Sequence, residues 1–212
     1  MELLGYTLAE SIFRWRYAES KKHRRAPGEV YVTDLLLCGH RVKLAERFPE
    51  VGEAENFNPV ALEGDLVHKG VQSVLKEILG DRIQVEVEGE REVAGVKLKG
   101  RVDAIIDGKH GVEIKHTRGE YGIPHPHHEL QVKIYRWLFN LSSAELLYVS
   151  RDGVTSVPVL ESATDEEVER LVKNPPTAQE EWVCRSCPFS FACSLKVRRP
   201  RPSDAGLKLR AF

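Results

Sequence analysis

Two acids and a lysine lie close together in Gly100-Arg101-Val102-Asp103 and Glu113-Ile114-Lys115. Side chains alternate along a strand, so Glu113 and Lys115 share one face and Val112, Ile114 and His116 the other. Unpaired buried charge is expensive, which makes a carboxylate beside an ammonium an odd choice for a core position. If Asp103 joins them, the face carries two hard oxygen ligands for a divalent cation with a fixed positive charge alongside. That is the chemistry of metal-assisted phosphodiester hydrolysis. An exposed edge hairpin with a salt bridge would use the same residues, and register separates the two readings. A two-residue loop at Asp107-Gly108 pairs Asp103 with Val112 and sets the carboxylates on opposite faces. A three-residue loop, Asp107-Gly108-Lys109, pairs Asp103 with Glu113 and sets them on one face. The three-residue loop, or a bulge of equal effect, is the expectation.

The cysteines form a second constellation. Cys184, Cys187 and Cys193 fall within ten residues, and Cys38 stands far upstream. Four thiolates suit structural zinc or an iron–sulfur cluster. Zinc sites more often use two short pairs, so one distant cysteine with a compact C-x2-C-x5-C favours the cluster, whose type the spacing leaves open. Either metal would staple the N-terminal part of the chain to its C-terminal tail.

These residues need elements to hold them. A helix is expected from Thr7 to about Tyr17, then a basic run, Lys21-Lys22-His23-Arg24-Arg25, and a short strand from Glu29 to Val32. Thr33 caps an expected helix through Arg47 that carries Cys38 and is stopped by Pro49, and 50–58 reads as a loop. From Pro59 to Leu79 the pattern is helical, ending at Gly80, with Val67, Val71, Val74, Leu75 and Ile78 as its core stripe. Ile83–Val87 alternates as a strand and leads through Val96-Lys97-Leu98 to the acidic hairpin. Glu129 to about Leu141 reads as a helix. A second hairpin turns at Asp152-Gly153, and Thr164-Asp165-Glu166-Glu167 is a capping box opening a helix to Lys173. His125, His127 and His128 offer a second metal site, though a His-rich loop leading into a helix explains them more simply.

The 212 residues suit one domain, or one with appendages, of α/β class. The net charge of −1 conceals an asymmetry: residues 1–47 carry 9 Lys/Arg against 6 Asp/Glu, and 182–212 carry 7 against 1. The two basic ends could together face nucleic acid. There is no apolar run long enough for a membrane span. Met1-Glu2-Leu3-Leu4-Gly5 lacks the flanks of a signal peptide, so a cytoplasmic location is expected, where cysteines serve as metal ligands or free thiols.

In order, Gly64-x-x-x-His68, Gly100-Arg-Val-Asp103, Glu113-Ile-Lys115 and Gln131-x-x-x-Tyr135 resemble the motif series of RecB-like nucleases of the PD-(D/E)xK superfamily. With the cysteine frame, the chain looks most like the CRISPR-associated nuclease family numbered four among the Cas proteins. One departure is Cys38-Gly39-His40-Arg41, where the family often has Pro-Arg directly after the cysteine. The resemblance implies a restriction-endonuclease-like mixed sheet flanked by helices, with N- and C-terminal parts joined by an iron–sulfur cluster on Cys38, Cys184, Cys187 and Cys193. It implies one nuclease unit over 1–212: an N-terminal helical part at 1–58, a RecB-like core at 59–160, and a cluster segment at 161–212. His68, Asp103, Glu113 and the Ile114 carbonyl would ligate manganese or magnesium, Lys115 would orient the attacking water, and Gln131 and Tyr135 would contact DNA and brace the site. The implied activity is single-stranded DNA exonuclease, 5′ to 3′, trimming prespacer ends in CRISPR adaptation beside the first and second Cas proteins. A stand-alone RecB-like repair exonuclease and a non-catalytic DNA-binding iron–sulfur module are the rival readings.

Overall fold

Two long strands set the frame, β2 (Ile83–Val93) and β3 (Val96–Ile106), paired antiparallel around a turn at Ala94-Gly95. Among the described strands only β1 (Glu29–Tyr31) precedes them in the chain. The computed structural model describes residues 7–22 and 28–197. Residues 1–6, 23–27 and 198–212 lie outside the described residues. With them go the Met1–Gly5 stretch, His23-Arg24-Arg25 of the basic run and most of the basic C-terminal end.

Strand β4 (His110–His116) returns along β3 with pairs Ala104↔Val112, Ile105↔Gly111 and Ile106↔His110. The loop is therefore the three-residue Asp107-Gly108-Lys109. Asp107 and Gly108 turn it with φ of 50° and 68°, and Lys109 N–H donates to the Ile106 carbonyl at 3.1 Å. Strand β5 (Ser143–Val149) lies parallel to β4, and β6 (Val154–Val159) antiparallel to β5. The six-stranded mixed sheet runs β1-β3-β4-β5-β6, with β2 on the other edge of β3. β1 takes one edge of β3 at Lys97, Leu98 and Lys99, and β4 takes the same edge from Ala104 onward. Between them, residues 100–102 pair with β2 alone among the described strands, and Asp103 is skipped by the pairing on both sides. That gap is where the acids sit.

Both long strands exchange faces at the gap. Val87 and Val102 pack into the core on one side of the sheet, whereas Val85 and Ala104 pack into the core on the other. Strict alternation would keep each pair on one face. The register counts Val85↔Ala104 and Val87↔Val102, which leaves Glu86 opposite Asp103 with φ of 54°. A left-handed conformation costs an ordinary residue roughly 1–2 kcal/mol.

Helix α1 (Leu8–Lys22) has no buried residue and is held from outside. Arg16 pairs with Asp65 at 2.6 Å and donates to the Glu55 carbonyl at 2.6 Å, while Phe13 and Tyr17 lie against Phe57. The expected helix from Thr33 to Arg47 is broken. A 3-10 turn spans Val32–Leu35, and α2 starts only at His40 (His40–Arg47), so Cys38 lies in the break. The cause is the docked C-terminal segment: Gly39 N–H donates to the Pro176 carbonyl at 2.8 Å, and a Cβ on Gly39 would stand 2.3 Å from Pro175 Cβ. Residues 50–58 are not the expected loop, because Pro49 opens α3 (Pro49–Ala54) as its first residue instead of merely ending α2.

Helix α4 (Pro59–Leu79) has the expected bounds. Asn58 Oδ1 accepts from Val60 N–H at the start, and Gly80 closes the end at φ 57°. Its stripe differs: Val71, Leu75 and Leu79 pack on Ile83, Ala104, Val112 and Ile114, while Val74 and Ile78 are 54% and 70% exposed. His68 and Gln72 take the inward positions, turning the helix away from the phase its aliphatic residues suggest. Helix α5 (Pro126–Leu138) covers the opposite face through Ile134, Tyr135 and Leu138. It begins before the expected Glu129 because Pro126 suits a first turn, and it stops before Leu141, with Asn140 at φ 52°. Helix α6 (Asp165–Lys173) has the expected capping box: Thr164 Oγ1 accepts from Glu167 N–H at 3.2 Å and Glu167 Oε2 accepts from Thr164 N–H at 2.9 Å. The short α7 (Glu181–Arg185) carries Cys184.

Candidate active site

A cleft of about 610 Å³ opens over the gap in β3, lined among others by His68, Asp103, Glu113, Lys115, Gln131 and Tyr135. Three elements supply them: α4 gives His68, the hairpin gives the acids and the lysine, and α5 gives Gln131 and Tyr135. Asp103 Oδ2 accepts from Ile114 N–H at 2.7 Å, and its Oδ1 lies 3.2 Å from His68 Nδ1. Glu113 Oε1 accepts from Lys115 Nζ and from Gln131 Nε2, each at 2.8 Å. Lys115 also donates to Gln131 Oε1 at 2.7 Å, and Gln131 Nε2 reaches Tyr135 Oη at 3.1 Å. Gln131 and Tyr135 are both buried, so their polar atoms are spent inside the site as braces.

The other oxygen of Glu113 is different. Oε2 is buried, and among the described residues it has no hydrogen-bond partner. Burial pushes the Glu113 carboxyl up to about 7, with Lys115 pulling it down and Asp103 adding to the rise. Burial acts to lower the His68 imidazole, but its hydrogen bond to Asp103 and the charges of Asp103 and Glu113 outweigh that and raise it. Burial pushes Tyr135 far above the usual phenol range, so it stays a neutral hydroxyl. The site concentrates negative charge that its own cation offsets only in part. A divalent ion bound by Asp103 and Glu113 would satisfy the orphaned oxygen, and the donor set of two carboxylates and an imidazole fits manganese or magnesium.

Sequence reasoning missed Gln72 and Glu86. Gln72, one turn after His68 and 3% exposed, donates to Glu86 Oε1 at 2.7 Å and to the Asp103 carbonyl at 3.1 Å. A polar residue one turn from a singled-out histidine was the available signal. For Glu86 there was none, since nothing in an alternating strand marks a left-handed residue.

All four cysteines line a second cavity of about 1070 Å³, together with His40, Arg41 and Lys196. None forms a disulfide; Cys184 is buried, its sulfur accepting from Val197 N–H at 3.4 Å, and the others are half-buried. Burial raises the Cys187 thiol, the Phe189 backbone and Arg41 lower it, and Cys38 and Cys193 add to the rise, which puts the distant Cys38 in electrostatic reach. Four sulfurs around one cavity fit the donor set of a cluster. The two cavities share Ser20, Thr33 and Asn56. His125, His127 and His128 pack ring against ring beside Tyr148, with His128 Nδ1 2.9 Å from its hydroxyl. Among the described residues no three His, Cys, Asp or Glu side chains converge at metal-ligand spacing; in the cleft these groups bond to one another and to Lys115 and Gln131.

The chain is 32% identical over 200 residues to the CRISPR-associated exonuclease Cas4 of Saccharolobus solfataricus, covering 90% of this chain and 99% of the relative. It belongs to the Cas4 exonuclease family. The crystal structure of SSO0001 matches the fold of this family member with a TM-score of 0.85 at 32% identity, over 91% of this chain and 99% of that one. An alkaline exonuclease (LHK-Exo) from Laribacter hongkongensis shares the fold at a TM-score of 0.50 and 11% identity, over 77% of this chain and 87% of its own. No protein-family model matches the chain. Among the described residues no helix is long and apolar enough to cross a membrane.

Proposed function

We propose that this chain is a metal-dependent DNA exonuclease that shortens single-stranded ends from 5′ to 3′ and prepares prespacers in CRISPR adaptation. The observation that carries the reading is the buried, unpartnered Oε2 of Glu113 beside Asp103 and Lys115 in an open cleft. The name of the Saccharolobus relative supports an exonuclease. His68, Asp103, Glu113 and the Ile114 carbonyl would hold manganese or magnesium, which supplies an acidified water and charge for the phosphate oxygens. Lys115, fixed between Glu113 and Gln131, orients the attacking water and meets the charge that develops on the phosphate. Gln131 and Tyr135 hold that lysine and carboxylate in place as the DNA passes.

The cysteines are read as ligands of an iron–sulfur cluster, [4Fe-4S] ahead of [2Fe-2S], that joins the break before α2 to the C-terminal segment. The 1–212 chain acts as one nuclease unit with its core at 59–160. Its partners are DNA and the first and second Cas proteins, in the cytoplasm.

The test is cleavage of a single-stranded oligonucleotide, labelled at either end, in manganese. The wild type is expected to release short products from the 5′ end. Lys115→Ala and Glu113→Ala are expected to lose at least about 10²-fold in rate while keeping the far-ultraviolet spectrum of the wild type. Undiminished cleavage by both variants would defeat the site, and release from the 3′ end would reverse the polarity.

A further inference from the structure

Glu86 holds a φ of 54° where β2 and β3 exchange faces. Glycine or asparagine would adopt that conformation with less resistance. Strain retained in a cleft wall points to work for the side chain. The carboxylate is engaged on both oxygens. Oε1 accepts from Gln72 Nε2 at 2.7 Å and stands 3.5 Å from Lys69 Nζ. Oε2 lies 2.9 Å from Arg101 Nε. Gln72 runs on to the Asp103 carbonyl, tying the group to the acid of the metal site.

Lys69, Glu86, Arg101 and Asp103 all line the cleft, and the Arg101 side chain is 40% exposed. Lys69 and Arg101 flank Glu86 and bring positive charge into the cleft beside the acids of the site. A guanidinium presents its N–H donors in a rigid plane, so holding Nε against Glu86 fixes the direction of the whole fork. Arg101 precedes Asp103 by two residues on β3, about 6.6 Å of strand. That is the scale of one extended nucleotide.

We infer that Glu86 is a positioning residue that holds Arg101 as a clamp for the backbone phosphate next to the one being cut. The inference rests on the nuclease reading and names a DNA contact for it. A contact of this kind reads no base, so it serves any sequence. It also explains why the wall keeps an acid in a cleft that must admit a polyanion: the acid is used on the arginine.

The experiment measures binding of a labelled single-stranded oligonucleotide in EDTA across a salt series, and cleavage kinetics in manganese. Arg101→Ala is expected to weaken binding about tenfold and to reduce the slope of log affinity against log salt by about 0.7, one single-strand phosphate contact. Glu86→Gln is expected to raise KM more than it lowers kcat. Glu86→Gly, whose backbone suits the conformation, is expected to fold and to show the same KM defect. A wild-type slope and affinity in Arg101→Ala, or Glu86 variants altered only in thermal midpoint, would overturn the inference while leaving the nuclease reading standing. A wild type that neither binds nor cuts DNA would remove both.

Discussion

Asp103 Oδ2 accepts the backbone N–H of Ile114 at 2.7 Å, so a carboxylate continues a ladder whose last strand pair is Ala104↔Val112. The acid therefore has a structural share as well as a chemical one. Asp103→Asn keeps an oxygen for that N–H, whereas Asp103→Ala leaves it buried and unmade. The asparagine variant is expected to fold with near wild-type stability and no cleavage, and the alanine variant to lose about 1–3 kcal/mol in urea denaturation. Equal stability of the two would show that the bond contributes nothing.

The metal-free protein is expected to lose stability as pH rises. Folded Glu113 keeps its proton up to about 7, whereas an unfolded carboxyl loses it near 4.5. Across that window the folded state binds more protons, so stability falls with rising pH. His68 acts with the same sign: raised above 6.5, it adds stability that is full below 6.5 and is lost as pH climbs through its folded value. Thermal midpoints measured in EDTA should decline across the window, Glu113→Gln should flatten the lower part, and manganese should reverse the trend because ligands bind it deprotonated. A midpoint that rises with pH in EDTA would contradict this account.

Gly100 is fixed by space. A Cβ there would meet Leu138 Cδ2 at 2.7 Å, Tyr135 Cε1 at 2.9 Å and Val32 Cγ2 at 3.2 Å. Gly100→Ala is expected to cost about 1–3 kcal/mol, read by chemical denaturation. Because Tyr135 is one of the displaced groups and braces Gln131, cleavage should fall as well. Full activity at reduced stability would separate the packing from the site.

Much of this was legible in the residues. Pro59 and Gly80 bound α4 because a first-turn proline and a left-handed glycine act locally, and the Thr164–Glu167 box is closed within one turn. The hairpin register followed from the demand that two acids share a face. What was hidden depends on distant partners. Nothing near Cys38 announces that Pro175 and Pro176 dock on Gly39 and break the helix. The inward turn of His68 and Gln72 outranks the aliphatic phase of α4 because their partners, Asp103 and Glu86, lie on strands. Glu86 itself is set by a face exchange that only the paired strands define.

The cysteines give a colorimetric test. Protein purified without oxygen is expected to be brown, with iron and sulfide in cluster proportions, and each of Cys38→Ser, Cys184→Ser, Cys187→Ser and Cys193→Ser should bleach it. Stoichiometric zinc in a colourless protein would instead favour the structural-zinc reading of the same four thiolates.

The contact between Gly39 N–H and the Pro176 carbonyl bears on the order in which the molecule assembles. The β2–β4 meander draws on neighbours in the chain, so it can form early, whereas this seam must close a loop spanning most of the protein. Its partners leave the ribosome far apart in time, and Cys38 waits unshielded until the last segment arrives. The seam is then the last part to close and the first to breathe. In native-state hydrogen exchange the Gly39 amide should open well before that of Ile114, and a seam as slow to exchange as the sheet would argue for assembly as one unit.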